Sequence, residues 1–335
     1  MYKSCTCIPS ESTEDAMRFE GIHHITLITG DAPRNVDFYT GVLGLRLVKK
    51  TVNQDDPTVY HLFYADEDAS PGADITFFEY PGARRGRAGA GMVHTIVWRV
   101  ASEEALDFWE QRLAGESNAV ERDDARLRFE DPEGVALELA VVESGDEPLV
   151  AEHPEIPREL ALQGFDGVRA FAADPERSRR LFEETLAFGS RGDAVWEVRG
   201  EQRGGRFAFE PPPAERGVGG AGTVHHIAFS SPSDEHEAWQ QRVAEAGARP
   251  TPVIDRYYFK SIYFREPNGV LFEIATLGPG FGTDEDPAHL GERLSLPPAF
   301  EHLREGIEAA LTKLPASTWR KMSIRGSGYS SRENP

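Results

Sequence analysis

The same succession of strand and helix signals occurs four times along the 335-residue chain. In the first copy, GIHHITLITGDAPRNVDFYTGVLGL (residues 21–45) alternates like a strand, turns at an Asp that can cap a helix, and continues at helical spacing. Three strand-like runs follow it, LRLVKKTVN, TVYHLFYAD and ADITFFEY. Each copy is therefore predicted to be one βαβββ unit.

Two landmarks align the second copy with the fourth. VHTIVW matches VHHIAF, and FEDPEGVALEL matches FREPNGVLFEI, in the same order along the chain. The Pro-Glu-Gly and Pro-Asn-Gly segments are typical of turns that connect strands. One unit alone would leave a face of its sheet uncovered, so the units must pair. The sequence thus predicts an α+β protein of four βαβββ modules that pair into two open, barrel-like cups.

Composition suggests where the modules begin and end. Modules 1 and 2 are expected at residues 19–143 and modules 3 and 4 at 164–277, joined by a Glu- and Pro-rich linker at 144–163. The remaining C-terminal extension, 278–335, includes an amphipathic helix at about 297–314.

The N-terminal segment, residues 1–18, has no apolar run of the kind found in secretory signals, and we expect it to be a disordered leader. Its two cysteines, Cys5 and Cys7, have no neighbouring ligands that would complete a zinc site, and they exclude a disulfide framework. No stretch is apolar for the length of a membrane span. These features favour a cytoplasmic protein that does not bind membranes.

The chain is strongly acidic, with 56 Asp and Glu against 36 Lys and Arg and a formal net charge of −20. Such a charge repels phosphate backbones, so nucleic acid is not an expected partner. An acidic, lysine-poor surface is suited to a high-salt cytoplasm, where counterions screen the repulsion. A halophilic source is one interpretation, and an acidic mesophilic enzyme is the other.

Two pairs of adjacent histidines occur at the same point of the first and fourth copies, His23-His24 and His225-His226. Because side chains alternate across a strand, the two members of a pair face opposite sides. The side with the second histidine is smaller and more polar, and in the first copy it also includes Thr26. We therefore expect His24 and His226 to line the cavity, and His23 and His225 to face away from it.

A carboxylate completes this set, because Glu273 lies in the last strand of copy four, GVLFEIAT. Burying a carboxylate among apolar side chains is costly unless it is paired or binds a metal. Two imidazoles and one carboxylate form the facial triad that binds non-haem Fe(II) and leaves positions open for other ligands. A lone strand histidine is more often a core residue, but the repeated position favours a metal site of His24, His226 and Glu273.

The other two copies lack these histidines. Thr95 in copy two and Ala170 in copy three are predicted to occupy the position of His226. The sequence therefore predicts a single metal site, with copies two and three serving as a scaffold.

This arrangement resembles the vicinal oxygen chelate superfamily, which includes glyoxalase I, bleomycin-resistance proteins and type I extradiol dioxygenases. Within it, VHHIAF, IDRYYFKSIYFREPNGVLFEIAT and HLGERLSLPPAFEHLREGIEAAL resemble the hydroquinone ring-cleaving dioxygenases. The likeness covers roughly residues 19–315. It implies an oxidoreductase that uses Fe(II), or alternatively Mn(II), to insert O₂ into a hydroquinone-like or catecholic aromatic, and a homo-oligomer is expected.

The resemblance also implies roles for individual residues. His24, His226 and Glu273 match the metal ligands of the family. Five further residues match positions around the substrate: His23, Thr26, His225, Arg256 and Tyr263. The family places His23 and His225 near the site, whereas strand alternation turns them away, and a β-bulge would reconcile the two.

The implied mechanism assigns work to some of these groups. The metal lowers the pKa of the aromatic hydroxyl, so that the substrate binds as an anion. Tyr263 and one of the histidines beside the site are expected to move protons. Arg256 is expected to stabilise negative charge that develops during the reaction.

Two other functions remain open at this point. A glyoxalase-like isomerase or lyase would use a fourth protein ligand, for which Glu79 is the candidate. Alignment on Phe-Glu places Glu79 opposite Glu273, whereas the preferred alignment on Pro71 and Pro267 places Phe77 there. The second alternative is a non-catalytic protein of the same fold that binds aromatic compounds or drugs.

The charge balance leads to a first prediction. Screening should relieve repulsion among the 56 acidic groups, so the melting temperature should rise as KCl is increased into the molar range. Thermal unfolding followed by circular dichroism at a series of KCl concentrations measures this. A melting temperature that stays flat or falls would contradict salt adaptation.

Overall fold

The computed structural model describes residues 17–116 and 120–314. Nearly all of the expected leader, with Cys5 and Cys7, lies outside these ranges, as does the end of the C-terminal extension. Within them, each of the four repeats is a βαβββ unit, as the sequence predicts. No helix in the described ranges is long and apolar enough to cross a membrane.

Modules 1 and 4 supply the strands of the first sheet. Module 1 contains β1 (Ile22–Thr29), α1 (Ala32–Val36), β2 (Arg46–Asn53), β3 (Asp56–Ala65) and β4 (Asp74–Glu79), and α1 continues as a π-helical segment, Asp37–Val42. Modules 2 and 3 follow it in the chain. Module 2 contains β5 (Val93–Val100), α2 (Glu103–Leu113), β6 (Glu121–Asp123), β7 (Arg126–Glu130) and β8 (Ala136–Val141).

The second half of the chain repeats the order. Module 3 contains β9 (Phe165–Phe171), α3 (Glu176–Arg180), a π-helical segment (Leu181–Thr185), β10 (Gly189–Gly192), β11 (Val195–Arg199) and β12 (Gly204–Glu210). Module 4 contains β13 (Thr223–Ser231), α4 (His236–Glu245), β14 (Ile254–Asp255), β15 (Lys260–Arg265) and β16 (Leu271–Thr276).

The modules pair as the first with the fourth and the second with the third. One eight-stranded sheet has the order β14-β15-β16-β13-β1-β4-β3-β2, and the other has the order β10-β11-β12-β9-β5-β8-β7-β6. Each sheet curls into an open half-barrel, and antiparallel pairing of the first strands of its two modules forms its centre. Residues about 200 positions apart in the chain therefore become neighbours in the first sheet.

Helices cover the outer faces of the sheets, and short polar residues start two of them. The side chain of Asp31 accepts a hydrogen bond from the backbone N–H of Arg34 at the start of α1, and Ser102 does the same for Ala105 at α2. The apolar side of α4 buries Trp239, whose ring stacks on Phe19 at 4.1 Å. This packing leaves the concave faces of the sheets free to form cavities.

The central strand pair of the first sheet, β1 and β13, contains two irregularities where the paired histidines lie. Across β1 and β13, Ile22 and Ile25 are three residues apart, but their partners Phe229 and Ile227 are only two apart. The reverse happens farther along, where Thr26 and Leu27 pair with His226 and Val224. Each strand thus has one extra residue, which is a β-bulge.

The C-terminal extension packs over the edge of the first sheet. Lys49 of β2 is fully buried and donates hydrogen bonds to Asp284 Oδ1 at 2.7 Å and Glu285 Oε2 at 2.5 Å. The predicted terminal helix is present, but only Arg304–Ala310 (α5) is α-helical, and a 3-10 helix over Pro298–Leu303 precedes it.

Candidate metal centre

Three side chains that are far apart in the chain converge on the concave face of the first sheet. His24 of β1, His226 of β13 and Glu273 of β16 are 1%, 3% and 0% exposed. His24 Nε2 and His226 Nε2 lie 3.2 Å and 2.8 Å from Glu273 Oε2, and 3.3 Å from each other. The neighbouring strands β1, β13 and β16 therefore bring all three predicted ligands to one point.

The geometry of this cluster fits a metal ion. Metal–ligand bonds of about 2.1 Å at right angles place their donor atoms about 3.0 Å apart, close to the three distances between these atoms. Although Glu273 lies near both imidazoles, neither of its buried oxygens has a well-formed hydrogen bond. Within the described residues, this is the one group of His, Cys, Asp or Glu side chains that could hold a metal.

The charge state of the cluster agrees with that interpretation. Burial opposes ionisation of Glu273, but His24 and His226 outweigh it and hold the pKa of Glu273 well below its ordinary value. Burial lowers the pKa of His24, yet the adjacent Glu273 carboxylate more than compensates and raises it. For His226, burial prevails and lowers the pKa. A divalent cation would supply the positive charge that the carboxylate otherwise takes from a protonated imidazole.

The first member of each histidine pair holds the second in place. His23 Nδ1 lies 2.9 Å from His24 Nδ1, and His225 Nδ1 lies 2.8 Å from His226 Nδ1. These contacts occupy the outer nitrogen of each inner ring and leave Nε2 directed at Glu273. The expectation that His23 and His225 face away from the site is therefore incomplete, because the β-bulges let adjacent histidines interact edge to edge.

These two outer histidines differ in their surroundings. His23 is buried, and its Nε2 hydrogen-bonds the backbone carbonyl of Thr276 at 3.2 Å. The ring of His225 is only partly buried, and with His226 it lines a second cavity. Burial lowers the pKa of His23 to about 3 and that of His225 to about 4, so both rings are neutral at physiological pH.

A cavity opens beside these three side chains. Its aromatic lining consists of Phe63, Phe78, Tyr258, Phe259 and Tyr263. Its polar lining includes His61, Asn53, Gln54, Asp55 and Arg256. Aromatic walls with a few polar groups suit an aromatic ligand.

Arg256 and Tyr263, both predicted from the sequence, line this cavity. Arg256 donates hydrogen bonds to both carboxylate oxygens of Asp55 at 2.9 Å, and its guanidinium lies 5.6 Å from the centre of the Tyr263 ring. Tyr263 pairs with Glu273 across β15 and β16, and burial raises its pKa above the ordinary value. The phenol of Tyr263 therefore stays protonated and is able to donate a hydrogen bond.

Thr26 is buried and does not belong to the described lining of the cavity. Its Oγ1 lies 2.8 Å from Oγ1 of Thr76 on the adjacent strand β4. Thr76 also hydrogen-bonds Nε2 of His61 at 2.9 Å. Thr26 thus supports the cavity wall from behind.

Strand pairing shows which residue of module 1 corresponds to Glu273. Glu273 pairs with Ala228, two residues after His226, and Thr76 pairs with Thr26, two residues after His24. Thr76 is therefore the counterpart of Glu273 in module 1. The two sequence alignments had placed Phe77 or Glu79 there, and both were wrong by one to three residues. Glu79 is not part of the cluster.

The carboxylate of Glu79 has a different position and a different contact. Its Oε1 accepts a hydrogen bond at 3.2 Å from the backbone N–H of Ala32, at the start of α1. A carboxylate at a helix N-terminus stabilises the helix. This contact gives Glu79 a structural role outside the metal centre.

The second sheet contains no equivalent of this centre among its described residues. Ile96 pairs with Val168 in the second sheet, as Ile227 pairs with Ile25 in the first. Thr95 therefore takes the position of His226, as predicted. Gly167, and not Ala170, takes the position of the other histidine. The bulge in β9 shifts the register that alignment assumed.

A carboxylate is nevertheless present at the position of Glu273. Glu138 of β8 is buried and forms ion pairs with Arg126, with Arg128 at 3.1 Å and with Arg169 at 2.8 Å. Three guanidinium groups thus compensate here for the charge that Glu273 brings to the first sheet.

Sequence reasoning missed several residues of the cavity. His61, Asp55 and Phe259 lie on β3, in the turn before it and in the loop before β15. A lone histidine within an apolar strand gave no signal, because such histidines commonly fill a core. Asp55 lies among other acidic residues of a polar turn, so its pairing with Arg256 depends on the fold.

Comparison with known proteins agrees with this geometry. Residues 21–139 and 164–274 match the model of the Glyoxalase/Bleomycin resistance protein/Dioxygenase superfamily. "Putative ring-cleaving dioxygenase MhqA" of Bacillus subtilis is 40% identical over 316 residues, which cover 88% of this chain and 99% of that protein. "Chlorohydroquinone/hydroquinone 1,2-dioxygenase" of Sphingobium indicum is 32% identical over 318 residues, 87% of this chain and 95% of that protein.

Solved structures show the same fold. A Bacillus subtilis protein described as a "putative dioxygenase" is 40% identical, with a TM-score of 0.82 over 90% of this chain and 99% of that one. Glyoxalase I from Zea mays, at 14% identity and a TM-score of 0.54, covers 76% of this chain and 92% of its own, and shares the fold alone. On the matched modules and the full-length relatives, the chain belongs to the glyoxalase, bleomycin resistance protein and dioxygenase superfamily.

Proposed function

We propose that this protein is a metal-dependent dioxygenase that cleaves the ring of a hydroquinone-like aromatic with O₂. The observation that carries the proposal is the convergence of His24, His226 and Glu273 beside an aromatic-lined cavity. Full-length relatives named as ring-cleaving dioxygenases support the reaction class, and one of them is named for hydroquinone and chlorohydroquinone. Oxygen consumption by Fe(II)-loaded protein, with ring-opened product identified by mass spectrometry, tests it directly.

Three protein ligands suit this chemistry, and the proposed metal is Fe(II), with Mn(II) as the alternative. When bound, such an ion would supply coordination positions for the substrate oxygen and for O₂, and would lower the pKa of the aromatic hydroxyl. Thr76, at the position related to Glu273, has no charge and is already hydrogen-bonded to Thr26. That position favours three ligands over the four of a glyoxalase-like isomerase.

The protein groups around the cavity have distinct tasks in this proposal. His23 and His225 orient the ligand imidazoles through their Nδ1 contacts. Tyr263, protonated and next to Glu273, donates a hydrogen bond or a proton to an oxygen of the substrate. Arg256 supplies positive charge at the mouth of the cavity, although its pairing with Asp55 partly neutralises that charge.

A non-catalytic binder of aromatic compounds is the second function that the fold allows. The buried charged triad argues against it, because binding a neutral aromatic needs no carboxylate among apolar side chains. Consumption of O₂ distinguishes the two functions.

The metal ligands lead to a prediction with an internal control. Glu273→Gln, His24→Ala and His226→Ala should each lose bound metal and turnover, because each removes one of only three ligands. Glu138→Gln changes the related carboxylate of the second sheet, so it should keep metal and activity. It should lower the free energy of unfolding by roughly 1.5–3 kcal/mol, the range for a hydrogen bond to a charged group. Metal content by mass spectrometry and denaturant unfolding measure both effects, and full metal occupancy in any triad variant would remove that residue from the site.

A further prediction separates three ligands from four. Glu79→Gln should retain its metal and its ring-cleaving activity, because Glu79 contacts the start of α1 instead of the cluster. Its melting temperature should change little, since an amide oxygen can still accept the hydrogen bond from Ala32. Loss of metal in this variant, or isomerase activity in the parent protein, would favour the four-ligand alternative.

The substrate class has a test of its own. A catechol chelates a metal through two adjacent oxygens, whereas a hydroquinone offers only one and depends on protein groups for its other hydroxyl. We expect a higher kcat/KM for methyl- or chlorohydroquinone than for catechol or 3-methylcatechol. A preference for catechols of about tenfold, equivalent to about 1.4 kcal/mol in transition-state binding, would reverse the substrate class and leave the metal site unchanged.

A further inference from the structure

His61 is a polar residue in the lining of the cavity, and the proposed function described above gives it no task. It lies on β3 of module 1, and its ring is packed between Phe63 and Phe78, with centroid distances of 3.9 Å and 4.3 Å. All three side chains line the cavity beside the metal centre. The imidazole is therefore part of the aromatic wall and provides a polar group between two phenyl rings.

A chain of hydrogen bonds fixes the orientation of this ring. Its Nε2 lies 2.9 Å from Oγ1 of Thr76, which lies 2.8 Å from Oγ1 of Thr26. Both threonines are fully buried. His61 Nδ1, by contrast, has no hydrogen-bond partner among the residues that the structure describes. Burial, together with the nearby His24, His226 and Arg256, holds the pKa of His61 well below its ordinary value, so the ring is neutral.

Several other polar groups near the cavity are already engaged. Arg256 binds Asp55, the hydroxyl of Tyr258 donates to Asp284, and the side-chain amide of Gln54 donates to the backbone of Arg256. Both ring nitrogens of His23 have partners as well. A substrate hydroxyl that is not bound to the metal needs a partner within this apolar lining, since a buried unpaired hydroxyl is costly.

We infer that His61, with its proton on Nε2 toward Thr76, accepts at Nδ1 a hydrogen bond from the hydroxyl of a hydroquinone that is remote from the metal, while Phe63 and Phe78 pack against the ring. This inference rests on the proposed function, because it takes the metal to bind the other oxygen. His61 is thereby the residue that distinguishes a dihydric aromatic from one whose far oxygen cannot donate a hydrogen bond.

The test compares two ligands that differ at the far oxygen only. Under anaerobic conditions, dissociation constants for methylhydroquinone and for its far methyl ether, 4-methoxy-3-methylphenol, are measured on metal-loaded wild type and on His61→Phe. Wild type should bind the hydroquinone about tenfold more tightly than the ether, because the ether leaves the buried His61 nitrogen unpaired. The quantity compared between variants is the ratio of these two dissociation constants. In His61→Phe that ratio should fall to about one, because a phenyl ring fills the space without a nitrogen.

Two further variants and the metal content complete the experiment. His61→Gln, which keeps a hydrogen-bonding group, should restore part of the ratio. His94→Phe is the matched control, since His94 stacks on Phe171 in the second sheet at 3.8 Å, and it should bind as wild type does. All variants should contain as much metal as wild type.

The possible failures point to different conclusions. A ratio that is unchanged in His61→Phe, or loss of metal from that variant, would overturn the role of His61 even if ring cleavage is observed. Absence of ring cleavage in wild type, with the binding ratio and its loss in His61→Phe as expected, would overturn the proposed dioxygenase reaction and leave the assignment of His61 standing. Absence of any hydroquinone binding to wild type would overturn both.

Discussion

The structure depends on compensation for one buried carboxylate. Glu273 lies on an inner strand of an eight-stranded sheet with no exposure to solvent, and a charge in that position is unfavourable without an opposite one. His24 on β1 and His226 on β13 compensate for the negative charge of this carboxylate. Their Nε2 atoms and the carboxylate oxygen lie at the separations of ligands on one face of a metal ion. This compensation explains how Glu273 stays ionised although it is buried, and it brings three possible metal ligands together.

In the second sheet, different residues compensate for a buried carboxylate. Glu138 is related to Glu273 by the internal repeat and is also buried, yet it pairs with arginines instead of histidines. Guanidinium groups stay charged and do not coordinate a metal, so the carboxylate of Glu138 is neutralised without one. The two sheets therefore differ in the side chains that compensate for the related carboxylate, imidazoles in one and guanidinium groups in the other.

Around the metal centre, adjacent residues perform separate tasks because the strands are bulged. In a regular strand, His23 and His225 would lie on the opposite face from His24 and His226. The extra residue in each strand turns the paired rings toward each other, so that the outer histidine orients the inner one. On the module 1 side, Thr76 occupies the place related to Glu273, and its hydroxyl links Thr26 to His61 in the cavity wall.

The sequence by itself determined the repeat, the βαβββ order and the candidates His24, His226 and Glu273. These follow from local periodicity and from the cost of burying charge, and both can be read along the chain. The bulges, the shifted counterparts Thr76 and Gly167, and the pairing of Asp55 with Arg256 were decided only by the tertiary structure. Strand register depends on contacts between segments about 200 residues apart, and a shift of one residue moves every side chain to the other face of the sheet. His61 belongs to this second group, because an isolated histidine in an apolar strand has a role only once its neighbours are known.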